Sequence, residues 1–336
     1  DFNRFMKSGR ILFNTLVEPV EKYFISDRLL ISPDNILSYL PFEAMPAGNN
    51  PESSSQFSSI SYLLEDYRIS YTYSATFLAE SKTREKAARN KVVAFAPIYT
   101  GIINVDSLLG SRQGAVESLS DLPFARTEAQ YVTEITKGKL FINDGATESV
   151  FKSVAGNYDI IHLAMHTVLN DQYPMYSKML FYQERDSTDD GNLNTWEVYG
   201  LPLKAKMVIL SSCNTGNGKL YSGEGILSLA RGFVYSGSQS VIMSIWEIED
   251  RSGTEIIKDF YRLLKRGMPK SDALRKARLD YLENADMLRS HPYFWSSLVI
   301  YGNNAPLYEN RGLSIAYFVL AMMIAAAILL IYSKPR

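Results

Sequence analysis

Six short runs in this 336-residue chain are built almost wholly from apolar residues, and they leave few folds open. They are Leu29–Ile31, Val92–Pro97, Asp159–Met165, Met207–Ser211, Ser240–Ile245 and Ser297–Tyr301, and Lys178–Tyr182 reads as a shorter one. A strand with one wet face alternates apolar and polar residues, whereas a run apolar throughout is buried on both faces. Helical patterns lie between these runs, at Thr127–Thr136, Ile226–Tyr235, Thr254–Arg266 and Ser271–Leu282. The third sets Ile256, Ile257, Phe260, Tyr261 and Leu264 on one stripe and stops at Gly267; Ser271 is a fair N-cap for the fourth. Strands alternating with helices predict an α/β fold with a mainly parallel sheet covered on both faces. Residues 1–90 read as a first subdomain of a long helix, a short strand and a second helix around Ser61–Ser81. The strongest alternation begins at Lys91. Pro51–Ser59 and Asp186–Asn192 read as polar loops.

Composition removes several functions. Hydrophobic residues make up 46%, enough for a core. Thirty-five Lys and Arg face 36 Asp and Glu, so there is no basic field to hold nucleic acid. One cysteine excludes an internal disulfide and any thiolate-based zinc or iron–sulfur centre. The opening Asp1-Phe2-Asn3 reads as a fragment or processed form. Residues 312–332 carry no charge, and as a helix they would extend about 31 Å, close to the thickness of a bilayer core. Arg311 precedes the run, Lys334 and Arg336 follow it, and Tyr317 and Tyr332 stand near its edges. We therefore expect a linker at 304–311, a transmembrane helix at 312–332 and a basic tail at 333–336; which side of the membrane the rest occupies is left open.

Ligands in open α/β sheets sit outside the carboxyl ends of the strands. Two such ends carry reactive side chains. The run D-I-I-H-L-A-M-H-T delivers His166, and M-V-I-L-S-S-C-N-T-G delivers Cys213. If the two strands are neighbours, thiol and imidazole face one crevice, as a Cys–His dyad requires. The small polar loop Asn214–Gly218 could offer N–H groups to an oxyanion. His162 and His166 also form H-x-x-x-H, but on a strand the two imidazoles stand about 13 Å apart, so zinc is not expected. His162 is read as a packed core histidine and His291 as structural. The Gly216–Lys219 stretch fails the phosphate-loop pattern, since position 213 is Cys and 220 is Leu.

These landmarks, in order, resemble the CHAT domain, a caspase-like and separase-like cysteine peptidase family of clan CD. Leu30-Ile31-Ser32-Pro33-Asp34 and Leu40-Pro41-Phe42-Glu43 are similar to its opening, followed by Tyr62-Leu63 and Ser70–Ser74. His162-Leu163-Ala164-Met165-His166 is similar to its H-L-A-x-H, and Leu210–Gly216 to its L-S-x-C-x-T-G. Gly223–Gly225, Ala230–Phe233, Ser244–Trp246 with Asp250, and His291-Pro292 with Trp295 complete the likeness. The resemblance implies a caspase-like fold, with residues 1–90 a pseudo-protease subdomain and 91–303 the active one. It implies that Cys213 is the nucleophile and His166 the catalytic histidine, and that the backbone N–H groups of Cys213 and Thr167 form the oxyanion hole. Many members have Gly where this chain has Thr167. Asp250, with Glu224 and Glu247 as neighbours, would line a pocket for a basic P1 side chain. The resemblance also implies protein or peptide substrates, no cofactor and helical repeats upstream as a regulator. The other readings are a catalytically inactive, membrane-anchored scaffold on the same fold, and a non-proteolytic Cys hydrolase or acyltransferase.

Overall fold

The computed structural model describes residues 2–47, 56–83, 90–99, 122–170, 172–183, 188–211, 224–246 and 249–308. Cys213, Glu247, the Asn214–Gly218 loop and the expected span at 312–332 lie outside them. Among the described residues no helix is long and apolar enough to cross a membrane.

Eleven strands are described: β1 (Arg28–Ile31), β2 (Arg68–Tyr71), β3 (Val92–Ala96), β4 (Lys139–Ile142), β5 (Ile160–Ala164), β6 (Thr167–Val168), β7 (Lys178–Leu180), β8 (Asn192–Asn194), β9 (Met207–Ser211), β10 (Ser240–Ser244) and β11 (Leu298–Gly302). The described helices are α1 (Phe2–Leu16), α2 (Glu18–Glu21), α3 (Leu63–Asp66), α4 (Ala75–Thr83), α5 (Pro123–Thr136), α6 (Glu148–Val154), α7 (Thr195–Tyr199), α8 (Glu224–Tyr235), α9 (Asp250–Lys265) and α10 (Lys270–Asn284).

Eight strands form one sheet in the order β1-β2-β11-β10-β9-β5-β3-β4. Every pairing is parallel except β10–β11. The carboxyl ends of β3, β5, β9 and β10 therefore share one edge. The two-residue period of a strand sorts its side chains to opposite faces. Ile161, Leu163, Val208, Leu210, Val241 and Met243 join one core with Phe233 of α8 and Phe151 of α6. Ile160, Met207, Ile209 and Ile242 join the other, under Ile256, Phe260 and Tyr261 of α9 and Ala277 of α10. Where α5 crosses, Ala94, Ala96 and Ala164 meet Ala125 and Ala129, small residues that let helix and sheet approach closely. The runs in β3, β5, β9, β10 and β11 are thus buried on both sides, as their composition requires. Leu29–Ile31 is not: β1 is an edge strand with only one neighbour, and Leu30 is 48% exposed. A second, antiparallel sheet of β6, β7 and β8 begins just past β5.

Three readings are corrected. Ser61–Ser81 is not one helix: β2 interrupts it between α3 and α4, because Tyr71 pairs with Tyr301 in β11. Ser271 does not cap α10, which starts at Lys270 after Pro269; the acceptor for the Ser271 N–H is Asn304 Oδ1, from beyond β11. Asp186–Asn192 does not stay a loop to its end, since Asn192 opens β8.

Candidate active site

β5 and β9 are parallel neighbours, with His162 opposite Ile209 and Ala164 opposite Ser211. The strand at the histidine run ends at Ala164, two residues short of His166. Met165 carries the chain out, and Thr167 enters β6 opposite Met179. His166 is 4% exposed, its ring meeting the Tyr99 ring at 4.6 Å in an edge-on arrangement. Tyr99 Oη accepts the His166 N–H at 2.9 Å and donates to the Leu180 carbonyl at 2.8 Å. Nothing in the sequence marks Tyr99, which follows β3 in a stretch without a motif.

Thr167 occupies an extended strand position. A β-branched residue suits that conformation and resists positive φ. Among the described residues the non-glycine positions at positive φ are Asn35, Asn90, Lys137 and Asn143, so the backbone does not require glycine at 167.

His162 is a core histidine, fully buried on the α5/α9 face. Its Nε2 lies 2.9 Å from Glu128 Oε1 on α5, and its Nδ1 is 3.3 Å from the Tyr261 hydroxyl on α9. Thr254 Oγ1 donates to Glu128 Oε2 at 3.2 Å. These polar contacts reach α5 and α9, the helices covering β5 on this face. His291 is likewise structural: its Nδ1 accepts the Tyr293 N–H at 3.1 Å, its ring lies 4.3 Å from Phe57, and burial pushes its pKa down.

Two of the acidic candidates, Glu224 and Asp250, fall within the described residues. Glu224 is the first residue of α8, and Asp250 the first of α9, at the edge where β10 ends. Asp250 Oδ2 accepts the Phe124 N–H at 3.3 Å, at the start of α5. The neighbouring Glu249, which sequence reading passed over, caps α9 by accepting from the N–H groups of Arg251 and Ser252 and from Ser252 Oγ. Burial pushes its carboxyl up, and these hydrogen bonds outweigh that and leave it below the ordinary value. Trp246 Nε1 donates to the Tyr293 carbonyl at 3.1 Å, fixing the chain as it leaves β10.

A further cluster escaped the sequence. Glu148, Asp189 and Glu197 bring carboxylate oxygens within 4.8 Å of one another, a spacing open to a metal ion. Lys152 Nζ occupies the centre, 2.7 Å from Glu148, 2.7 Å from Asp189 and 2.8 Å from Glu197. The ammonium supplies the charge a cation would bring. Burial pushes the Glu148 carboxyl up to about 7 even so.

The CHAT domain profile matches residues 6–303. Human tetratricopeptide repeat protein 28 is 25% identical over 217 residues, covering 55% of this chain; the match spans 9% of that protein's length. Among solved structures, the complex of Porphyromonas gingivalis RgpB pro- and mature domains superposes with a TM-score of 0.50 at 11% identity, covering 92% of this chain and 70% of that one. The separase–securin complex of Saccharomyces cerevisiae gives 0.46 at 13% identity, covering 79% of this chain and 14% of that one. With the central sheet, its flanking helices and the matched span agreeing, this chain belongs to the CHAT domain family.

Proposed function

We propose that this chain is a cysteine endopeptidase with Cys213 as nucleophile and His166 as general base. The observation that supports it best is the strand register. β5 and β9 lie side by side with Ala164 opposite Ser211, and each motif residue follows its strand end by two positions in the sequence. His166 takes the thiol proton as sulfur attacks the peptide carbonyl, then passes it to the leaving amine. The N–H groups of Cys213 and Thr167 hold the oxyanion. Water, deprotonated by His166, then attacks the thioester, releasing the acid and the thiol. A carboxylate from Asp250, Glu224 or Glu247 selects a basic P1 side chain. Residues 312–332 hold the enzyme at a membrane. Helical repeats regulate it; the human relative, a tetratricopeptide repeat protein by name, supports that association.

The test is cleavage of a peptide library read by mass spectrometry, with Cys213→Ala and His166→Ala beside the unaltered chain. Loss of cleavage in both variants is expected. No cleavage by the unaltered chain, with Cys213 inert toward an electrophilic peptide probe, would replace the peptidase by the scaffold reading.

A further inference from the structure

We propose that Tyr99 is a positioning residue for His166, its hydroxyl spliced into the β6–β7 ladder so that the histidine is held off β7. The inference rests on His166 being the general base.

β6 and β7 pair antiparallel, with Thr167 opposite Met179 and Val168 opposite Lys178. One step further along the same register sets His166 opposite Leu180. A hydrogen-bonded antiparallel pair exchanges two bonds, each N–H to the other carbonyl. One of the two is present: the Leu180 N–H donates to the His166 carbonyl at 3.0 Å. The other is replaced by a hydroxyl. The His166 N–H donates to Tyr99 Oη at 2.9 Å, and Tyr99 Oη donates to the Leu180 carbonyl at 2.8 Å. The directions are forced, because an amide only donates and a carbonyl only accepts. Tyr99, His166 and Leu180 are all buried, so neither backbone group can turn to water instead. The same tyrosine sets its ring against the imidazole at 4.6 Å. One side chain thus fixes the backbone of His166 and bounds its ring.

An inserted oxygen keeps the His166 nitrogen and the Leu180 oxygen farther apart than a direct bond would. Without it the ladder can close, drawing His166 toward β7. A displacement of about 1 Å at a reacting group costs on the order of 100-fold in rate.

The experiment uses the full chain with labelled histidine and compares Tyr99→Phe with Tyr261→Phe, which removes a buried hydroxyl beside His162 instead. In Tyr99→Phe the His166 amide and imidazole resonances move, and kcat falls by about 100-fold with KM unchanged. In Tyr261→Phe the His166 resonances stay in place. Unmoved His166 resonances in Tyr99→Phe, equal movement in both variants, or an unchanged kcat would overturn the proposal. Should Tyr99→Phe not fold, hydrogen exchange in the unaltered chain decides: a protected His166 amide supports the splice and a freely exchanging one refutes it. If the unaltered chain cleaves nothing, the peptidase reading falls while the resonance and exchange measurements still judge the splice.

Discussion

Glu43→Leu should strand a charge in the interior. Glu43 sits in a short 3-10 turn, Phe42–Ala44, and its side chain is 2% exposed; Arg278 on α10 is 1% exposed. Arg278 Nη1 donates to Glu43 Oε1 at 3.0 Å, and the Tyr71 hydroxyl donates to Oε2 at 2.6 Å. That hydroxyl also accepts the Phe42 N–H at 3.0 Å. At an effective dielectric constant of about 20 the attraction across 3.0 Å is about 5.5 kcal/mol, but removing each ion from water costs several kcal/mol. The pair therefore adds little net stability, while breaking it leaves a bare guanidinium. That costs about 3–5 kcal/mol, and the Tyr71 hydroxyl losing its charged acceptor adds about 1–2. Among the described residues Arg278 Nε and Nη2 meet no acceptor, so part of its desolvation is never returned. The double replacement Glu43→Leu with Arg278→Met should accordingly lie within about 2 kcal/mol of the unaltered chain. Urea unfolding, followed by fluorescence and circular dichroism together, reads these differences. A single-variant loss under about 1 kcal/mol, or a double-variant loss equal to the sum of the two singles, would refute the reasoning.

Lys270 is buried, its Nζ donates to the carbonyls of Asn303 and Ala305, and burial with nearby Lys206 pushes its pKa down to about 7. A lowered folded pKa gives stability that is present above the unfolded value near 10.5 and lost as pH falls through about 7. Unfolding free energy should thus drop by up to about 1.4 kcal/mol per pH unit between pH 9 and 7. Lys270→Met should flatten that slope, and an equally steep slope in the variant would count against the assignment. Lys152→Met leaves Glu148, Asp189 and Glu197 without their counter-charge. It should lower stability at pH 8 by about 2–4 kcal/mol and regain it toward pH 5, where the carboxyls protonate; a loss independent of pH would contradict this. Gly237 holds φ +116, and a Cβ there would meet the Leu203 carbonyl oxygen at 2.2 Å. Gly237→Ala should cost roughly 3 kcal/mol, read as a clear fall in Tm. Peptides differing only at P1 should be cut in the order Arg or Lys before Ala before Asp, and indifference to that charge would remove the carboxylate pocket.

The central strands were legible because their burial is written into their own residues. β5, β9 and β10 are apolar at nearly every position, and their neighbours could be inferred from alternation with helices. β2 was not legible: Arg-Ile-Ser-Tyr becomes a strand because β1 pairs along it on one side and β11 meets it on the other, and no local pattern encodes that. β4, Lys-Leu-Phe-Ile, is an edge strand, exposed at its first residue. The start of α10 was misplaced for a related reason, since its capping side chain is Asn304 rather than Ser271. At the candidate site the two motif runs were readable; that their strands are neighbours was left as a condition, and the β5–β9 register supplies it. Tyr99 was not, because its role depends on a hydroxyl meeting two backbone groups from distant segments. The buried partners of His162 were hidden in the same way: Glu128 and Tyr261 look, in sequence, like members of ordinary amphipathic helices.

The pairing of β2 with β11 also sets an order of assembly. Tyr71 meets Tyr301, 230 residues later, and β1 reaches the main sheet only through β2. During synthesis β1 and β2 emerge long before the strand that receives them. They must wait, while β3, β4, β5, β9 and β10 already have partners among themselves. The last of the described strands to be made is thus the one that joins β1 and β2 to the rest of the sheet. Contacts closed over such long loops slow folding. A chain stopped just before Leu298 would keep its parallel core strands yet leave both β10 and β2 with an open edge, the kind of surface on which unfinished chains associate.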